Sequence, residues 1–226
     1  MGRIVEVIRP DGGVTPAYLA EPPEGQAAQA PGVVLVQEWW GLNDHIRGVA
    51  DRLAAEGYRV LSPDLYRGRL TTQTDEASHM MNTLDFRDAT LQDLAGCVRH
   101  LAQHGHKVGL TGFCMGGALT VCGAAQVPGV AAAVCFYGIP PRQVADPADI
   151  RIPFQGHFAL QDDWCTPAVV DVLAEAMRAA GNPPDVYQYP AQHAFFNHSR
   201  PTVYDRECAE TAWARMLAFW SLHLAD

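Results

Sequence analysis

The sequence has few basic residues and no long apolar run, and both deficits exclude classes of protein. Only 16 of its 226 residues are Lys or Arg, against 25 Asp or Glu, so the formal charge at pH 7 is −9. Nucleic-acid binding depends on clustered Lys and Arg, whereas the basic residues here are scattered. No apolar stretch approaches the roughly 20 residues that a membrane span needs. We therefore expect neither nucleic acid nor membrane as a partner.

The sequence also lacks a secretory signal and any CxxC pair. Residues 1–13 contain no hydrophobic stretch followed by a small-residue cleavage site, which predicts a cytoplasmic protein. In a reducing cytoplasm, most cysteines of such a chain are expected to be buried, unpaired thiols. The six cysteines are Cys97, Cys114, Cys122, Cys135, Cys165 and Cys208.

Strand-like runs alternate with helix-length amphipathic segments along the whole chain. This alternation predicts an α/β protein with a mostly parallel central sheet and helices on both faces. Because no repeat or dividing linker is evident, we expect residues 1–226 to form a single domain. The expected strands cover residues 4–8, 15–20, 33–36, 58–62, 107–111, 130–137, 152–160 and 185–189, and the expected helices cover 43–56, 87–103, 118–125, 168–180 and 206–224.

Residues 112–116, Gly-Phe-Cys-Met-Gly, match the G-x-nucleophile-x-G turn of α/β-hydrolases, with Cys114 as the nucleophile. Glycines flank such a turn because its strained central residue brings neighbouring backbones close together. The helix that follows directs its N-terminus at Cys114, which favours thiolate and supplies N–H groups for an oxyanion. The alternative readings are a packing turn with a filler cysteine, or a phosphate-binding loop, although neither G-x-G-x-x-G nor Lys-Ser/Thr follows.

In this fold the acid and the histidine of a catalytic triad follow the nucleophile, each after a later strand. Asp163 and His193 occur in that order after the expected strands, and they are the predicted partners of Cys114. Asp162 adjoins Asp163, and spacing alone does not fully separate the two. Among the other histidines, His198 is expected to be exposed and His157 to be a hydrogen-bonded core residue.

Glu38 follows the expected strand at residues 33–36, at the sheet edge where ligands bind in open α/β sheets. The alternative is a solvated loop carboxylate. Trp39 and Trp40 follow it directly, and two adjacent tryptophans are more typical of a pocket wall than of open surface. We therefore predict that Glu38 belongs to the site, with Trp40 in contact with substrate.

Five segments in this order resemble the dienelactone hydrolase (carboxymethylenebutenolidase) family. The resemblance extends from about Val5 to the C-terminus, so it covers almost the whole chain. The segments are Gln37-Glu38-Trp39-Trp40-Gly41, Pro63-Asp64-Leu65-Tyr66, Gly112-Phe113-Cys114-Met115-Gly116-Gly117, Asp163 with Pro167, and His193-Ala194-Phe195-Phe196.

The resemblance implies an α/β-hydrolase fold and a Cys114–His193–Asp163 triad that forms a thioester acyl-enzyme. It also implies that Glu38 pairs with the resting thiol and takes its proton when substrate arrives. The backbone N–H groups of Met115 and Trp39 would form the oxyanion hole. Such chemistry requires no cofactor and no metal.

The substrate-binding residues depart from the family pattern. Members specific for dienelactone hold the substrate carboxylate with two arginines, one shortly after the catalytic histidine. Arg200 is a displaced candidate for that position, and Arg67 and Arg69 are candidates for the other. Residues 71–85 contain no Lys or Arg but include Met81, whose flexible apolar side chain suits an apolar substrate.

The sequence therefore predicts a hydrolase of lactones or carboxylic esters, active as a monomer or weak homodimer on a small molecule. One alternative is a general carboxylesterase on uncharged esters. Another is a non-catalytic redox sensor that uses Cys114 as a reactive thiol, although a sensor has no need of Asp163, His193 and Glu38.

Overall fold

One eight-stranded sheet forms the centre of the structure, a computed structural model that describes residues 2–225. The strands are β1 (Arg3–Ile8), β2 (Val14–Ala20), β3 (Gly32–Val36), β4 (Arg59–Pro63), β5 (Val108–Phe113), β6 (Val130–Phe136), β7 (Phe154–Gln161) and β8 (Asp185–Gln192). Their order in the sheet is β1-β2-β4-β3-β5-β6-β7-β8. Strand β2 pairs antiparallel with β1 and β4, and every other neighbouring pair is parallel. The expected α/β architecture is confirmed.

All helices except the C-terminal α7 lie in connections between strands, where parallel pairing requires a crossover. They are α1 (Asp44–Ala55), α2 (Thr74–Thr83), α3 (Phe86–Asp88), α4 (Ala95–Ala102), α5 (Met115–Gln126), α6 (Pro167–Ala179) and α7 (Arg206–His223). The π-helical segment Ala89–Leu94 joins α3 to α4, and short 3-10 turns lie at Ala27–Gln29 and Pro147–Asp149. Within residues 2–225, no helix combines the length and apolar character needed to cross a bilayer.

The local sequence explains the central elements. Every residue of β3 is buried, as expected for an apolar, β-branched run covered by helices on both faces. Helix α1 begins after Asn43, whose side chain accepts a hydrogen bond from the N–H of Ile46, and Gly57 follows its end with φ of 97°. Buried apolar side chains form two layers, one on each face of the sheet.

Besides shifts of one to three residues at the ends of elements, three features differ from the sequence prediction. Helix α2 was not predicted, because its segment is polar and buries only Ala77 and Met80. The single helix expected at residues 87–103 is interrupted by the π-helical segment. Helix α5 begins at Met115 rather than at residue 118, so its first turn lies directly beside Cys114.

The prediction that most cysteines are buried, unpaired thiols is confirmed. Each cysteine is a buried free thiol. Apart from Cys114, therefore, the thiols occupy positions that small apolar side chains normally fill.

Candidate active site

Five adjacent parallel strands end at the same edge of the sheet, and each delivers one side chain to a common site. Cys114, Tyr137, Asp162 and His193 directly follow β5, β6, β7 and β8, and Glu38 lies two residues beyond β3. Because these strands are neighbours in the sheet, residues far apart in the sequence meet at their carboxyl ends. This is the edge at which open α/β sheets bind ligands.

Cys114 has the strained backbone expected at the turn between β5 and α5. Its φ is 56° and its ψ is −116°, a conformation that costs a non-glycine residue on the order of 1–3 kcal/mol. Its N–H donates to the carbonyl of Phe136 at 3.1 Å, which fixes the turn to the next strand. The thiol is held at the N-terminus of α5, where the helix dipole favours a negative charge.

The glycines around Cys114 are required by close backbone contacts. A Cβ on Gly112 would lie 2.3 Å from the carbonyl oxygen of Gly116. A Cβ on Gly116 would lie 2.4 Å from the carbonyl oxygen of Val36 and 2.5 Å from that of Gln37. Since the obstructing atoms belong to the backbone, the turn packs against β3 only when both positions are glycine.

His193 is oriented by Asp162 and not by Asp163, which corrects the sequence prediction. The Nδ1 atom of His193 lies 2.7 Å from Oδ2 of Asp162. The side chain of Asp162 is fully buried in this pairing, whereas Asp163 is exposed. Strand β7 runs one residue further than expected, through Gln161, and a register shift between Ala159 and Gln161 interrupts the regular alternation at its end. Beyond this irregular end, Asp162 faces His193 and Asp163 faces solvent.

The loop after β7 also fixes the second oxygen of Asp162. Its Oδ1 accepts hydrogen bonds from the N–H groups of Trp164 at 2.8 Å and Cys165 at 3.0 Å. Burial disfavours the ionised carboxyl, but the hydrogen bond to His193 and these two N–H donors hold its pKa below the usual value. Asp162 is thus an anion that holds the imidazole in one orientation.

The surroundings of His193 favour the imidazolium form. Burial lowers its pKa, but the hydrogen bond to Asp162 and the interaction with Cys114 outweigh burial and raise the pKa to about 10. Its other nitrogen, Nε2, is buried without a partner at hydrogen-bonding geometry among the described residues. The ring is also held from the sides by Tyr137 and Trp164, with centroid distances of 5.1 and 5.7 Å.

Glu38 is a second buried carboxyl in the site, and it lines a small compartment together with Cys114 and His193. Its Oε2 accepts a hydrogen bond from the Nδ2 group of Asn197, and its Oε1 is buried without a partner among the described residues. Burial raises the pKa of Glu38 to about 7, although His193, Asn197 and Arg200 partly oppose that rise. A carboxyl with this pKa can exchange a proton near neutrality. The alternative of a solvated loop carboxylate is excluded, because Glu38 is only 1% exposed.

A cavity of about 410 Å³ opens on one side of Cys114. None of its lining side chains carries a charge. They are Met81, Asn82, Leu84, Phe86, Cys114, Met115, Ala118, Tyr137, Gly138, Ile139, Pro140, Pro141, Trp164 and Cys165. The predicted contribution of Met81 to a pocket beside Cys114 is therefore present in the structure.

Arg67 and Arg69 do not reach this cavity, contrary to the sequence prediction. Arg67 makes two contacts with the buried carboxylate of Asp93, at 2.8 and 3.0 Å, and donates to the carbonyl of Asp64. Arg69 lies 3.8 Å from Glu76. Both arginines line a separate depression of about 190 Å³ in which Cys114 takes no part. The guanidinium of Arg67 is directed toward the buried carboxylate of Asp93, a contact that sequence spacing could not predict.

Arg200 and Trp40 lie on the other side of Cys114. They line a small compartment of about 30 Å³ together with Glu38, Trp39, Cys114, Trp164, His193 and Ala194. The guanidinium carbon of Arg200 is 5.3 Å from the ring centroid of Trp40, a cation–π contact. Trp39 and Trp40 form part of the pocket wall, as their position beside Glu38 indicated.

The two remaining histidine predictions have different outcomes. His157 is fully buried between Tyr189 and Gln155, at 2.8 and 2.9 Å, so its core role is confirmed. His198 is exposed as expected, and its Nδ1 lies 3.0 Å from Nδ1 of His45.

No sequence motif selects Tyr137, Trp164 or Asn197. Tyr137 has φ of 37° and a fully buried side chain against His193. Trp164 is 54% exposed and lines both compartments. Asn197 lies four residues after His193, and only its contact with Glu38 marks it as part of the site.

Comparison with known proteins agrees with this geometry. Residues 15–224 match the dienelactone hydrolase family. A protein assigned as a carboxymethylenebutenolidase from Methylorubrum extorquens is 36% identical over 222 residues, which cover 90% of this chain and 75% of that protein. One from Escherichia coli K12 is 33% identical over 222 residues and covers 91% of this chain and 81% of its own.

A solved structure gives the same result. The crystal structure of a protein assigned as a dienelactone hydrolase from Klebsiella pneumoniae superposes with a TM-score of 0.87. It is 30% identical, and the match covers 98% of both chains. The chain therefore belongs to the dienelactone hydrolase family and is a carboxylic ester hydrolase of the carboxymethylenebutenolidase-like type.

Proposed function

We propose that the protein hydrolyses carboxylic esters or lactones through a Cys114–His193–Asp162 triad and a thioester acyl-enzyme. The observation that carries this proposal is the arrangement of three side chains at the carboxyl edge of the sheet. There, a strained cysteine at a helix N-terminus faces a histidine whose far nitrogen is 2.7 Å from a buried carboxylate. This is the relation among nucleophile, base and orienting acid that acyl transfer requires.

The first half of the reaction transfers the acyl group to sulfur. The Cys114 thiolate forms a C–S bond to the carbonyl carbon, and the N–H groups of Met115 and Trp39 stabilise the oxyanion. Met115 is the first residue of α5, so its N–H has no acceptor within the helix. When the intermediate collapses, the C–O bond to the leaving group breaks, and that oxygen takes the Nε2 proton of His193.

The second half returns the enzyme to its starting state. His193, now neutral, accepts a proton from water as the water oxygen bonds to the thioester carbon. The C–S bond then breaks and the carboxylic acid leaves. The thiolate recovers from Glu38 the proton that this residue took at the start, so Cys114 returns to the resting thiol. Asp162 holds the ring throughout and favours each imidazolium state.

Glu38 supplies the base that prepares the nucleophile. Against the effect of burial, interactions with Asp162 and with the Cys114 thiolate raise the pKa of His193 to about 10. The ring therefore holds its proton once the thiolate has formed, and we assign removal of the thiol proton to a second group. The pKa of Glu38, raised to about 7, matches this task. Asn197 fixes one oxygen of Glu38 and leaves the other free to accept.

The cavity walls favour an uncharged substrate, the second candidate named above as a general carboxylesterase. The 410 Å³ cavity presents no cation to a substrate carboxylate, and Arg67 and Arg69 are engaged elsewhere. Arg200 is the one Lys or Arg among the residues that line the two compartments, and it interacts with Glu38.

The test compares wild type with Cys114→Ala on a dienelactone and on vinyl acetate, an uncharged ester of a small alcohol. If wild type hydrolyses both substrates and Cys114→Ala hydrolyses neither, the result supports the triad. If wild type hydrolyses only the neutral ester, the protein is the general carboxylesterase. If dienelactone is cleaved, Arg200→Met should raise its KM and leave that of the neutral ester largely unchanged. A thiol that oxidises readily while wild type cleaves neither substrate would instead favour the redox sensor.

A further inference from the structure

Two unequal compartments meet at Cys114. The large cavity of about 410 Å³ and the small compartment of about 30 Å³ share only Cys114 and Trp164 among their lining residues. The large cavity falls in the range of about 300–1,000 Å³ that is usual for small-molecule sites. The small compartment has room for only about one or two water-sized groups. A substrate whose carbonyl carbon reaches Cys114 must therefore direct a bulky substituent into the large cavity.

The position of His193 decides which side of the ester, acyl or alcohol, lies in which compartment. His193 lines the small compartment and not the large cavity. In the proposed reaction its Nε2 proton passes to the leaving oxygen, so this oxygen must lie on the small-compartment side. Of the groups on the tetrahedral carbon, sulfur and the oxyanion are already placed at Cys114 and at the N–H groups of Met115 and Trp39. Only the acyl substituent remains for the large cavity.

The chemistry of the two walls agrees with this division. Met81, Leu84, Phe86, Ile139 and Pro140 are among the side chains that make the large cavity apolar and uncharged. The small compartment instead contains the carboxyl of Glu38 and the guanidinium of Arg200. An apolar chain gains free energy by burial in the first and would lie against charged groups in the second.

We propose that the preferred substrates are uncharged esters that join an apolar, medium-sized acyl group to a small alcohol. This inference rests on the proposed function and names the substrate class of that site. It also fixes the orientation of the bound ester: the alcohol part must be small, whereas the acyl part can be larger.

Two isomeric esters test the direction. Methyl hexanoate and pentyl acetate contain the same atoms, but the longer chain is on the acyl side in the first and on the alcohol side in the second. Hydrolysis is monitored as acid release by pH-stat titration. We expect kcat/KM to be at least about tenfold higher for methyl hexanoate than for pentyl acetate, since each additional buried methylene group strengthens binding several-fold. Equal rates, or a preference for pentyl acetate, would overturn the inference.

A matched pair of variants locates the effect. Ala118 lines the large cavity, and Ala125 lies two turns further along α5, outside both compartments. Ala118→Leu should lower the ratio of kcat/KM for methyl hexanoate to that for methyl acetate, whereas Ala125→Leu should leave this ratio at the wild-type value. An unchanged ratio in Ala118→Leu would place the acyl group elsewhere and refute the assignment.

The failure of the underlying function gives a different result. If Cys114→Ala abolishes cleavage of both isomers, the proposed nucleophile stands and the isomer ratio alone decides the inference. If wild type cleaves neither ester, or the variant retains activity, the proposed function itself fails.

Discussion

Exchange of Asp162 for asparagine isolates the contribution of the carboxylate that orients His193. In Asp162→Asn the amide oxygen can still accept from the N–H groups of Trp164 and Cys165, which lie 2.8 and 3.0 Å from Oδ1. The amide NH₂ then faces Nδ1 of His193, so that Nδ1 must accept rather than donate. The ring is forced into the tautomer with its proton on Nε2, which cannot take a proton from water.

The expected loss is large. The substitution removes a charge-assisted hydrogen bond of 2.7 Å and the anion that stabilises the imidazolium. Exchange of the equivalent acid in serine proteases lowers kcat by about 10⁴, and we expect a loss of about 10³–10⁴ here. The pKa of His193, raised to about 10 in wild type, should fall.

The adjacent residue provides the control. Asp163 is exposed, so Asp163→Asn should keep kcat/KM for a neutral ester within about twofold of wild type. Both variants are measured by ester hydrolysis, with thermal unfolding to confirm that each is folded. A large loss in Asp163→Asn together with near-normal activity in Asp162→Asn would refute the assignment of Asp162.

Two further substitutions test the buried groups around Cys114. Glu38→Gln should lower kcat/KM near pH 7 by about 10²-fold or more, since it removes the proposed base, yet it should stabilise the fold at high pH. The folded-state pKa of Glu38 is raised from 4.5 to about 7, so wild type loses stability as pH rises between these values. Denaturant unfolding should show the stability advantage of Glu38→Gln growing by on the order of 3 kcal/mol from pH 4.5 to pH 8, and an advantage independent of pH would contradict the raised pKa. Gly116→Ala should destabilise the fold by about 1–3 kcal/mol or more, because its Cβ would lie 2.4 Å from a backbone oxygen. Gly48→Ala is the control: this position lies in α1 with open space around its Cβ, so the substitution should be neutral or stabilising. Equal effects of the two substitutions would argue against the packing account of the turn at Cys114.

The parts of the site predicted from sequence are those fixed by local rules. The glycines around Cys114 predict a tight turn, and the order of strands places Glu38 and His193 at one edge of the sheet. Both the α/β fold and the family follow from signals of this kind. The choice between Asp162 and Asp163 depended on the irregular end of β7, where the pairing shifts register and the last two strand residues are both exposed.

The remaining contacts depend on tertiary packing that spacing does not encode. Arg67 was predicted to face substrate, but the buried carboxylate of Asp93, 26 residues later, holds it inward. Asn197 bonds to Glu38 across a separation of 159 residues, and no motif marks that pairing. Such partners become visible only when the strands that carry them are assembled.

The acyl-enzyme is the most direct test of the central claim that Cys114 is the nucleophile. His193→Ala removes the proposed base for the water step, so an activated ester of a small alcohol, such as vinyl acetate, should leave its acyl group on the protein. Intact-protein mass spectrometry with peptide mapping should find one acetyl group on Cys114, removable by hydroxylamine, and none when Cys114→Ala is added. An acetyl group at another residue, or equal labelling of the double variant, would contradict the thioester mechanism.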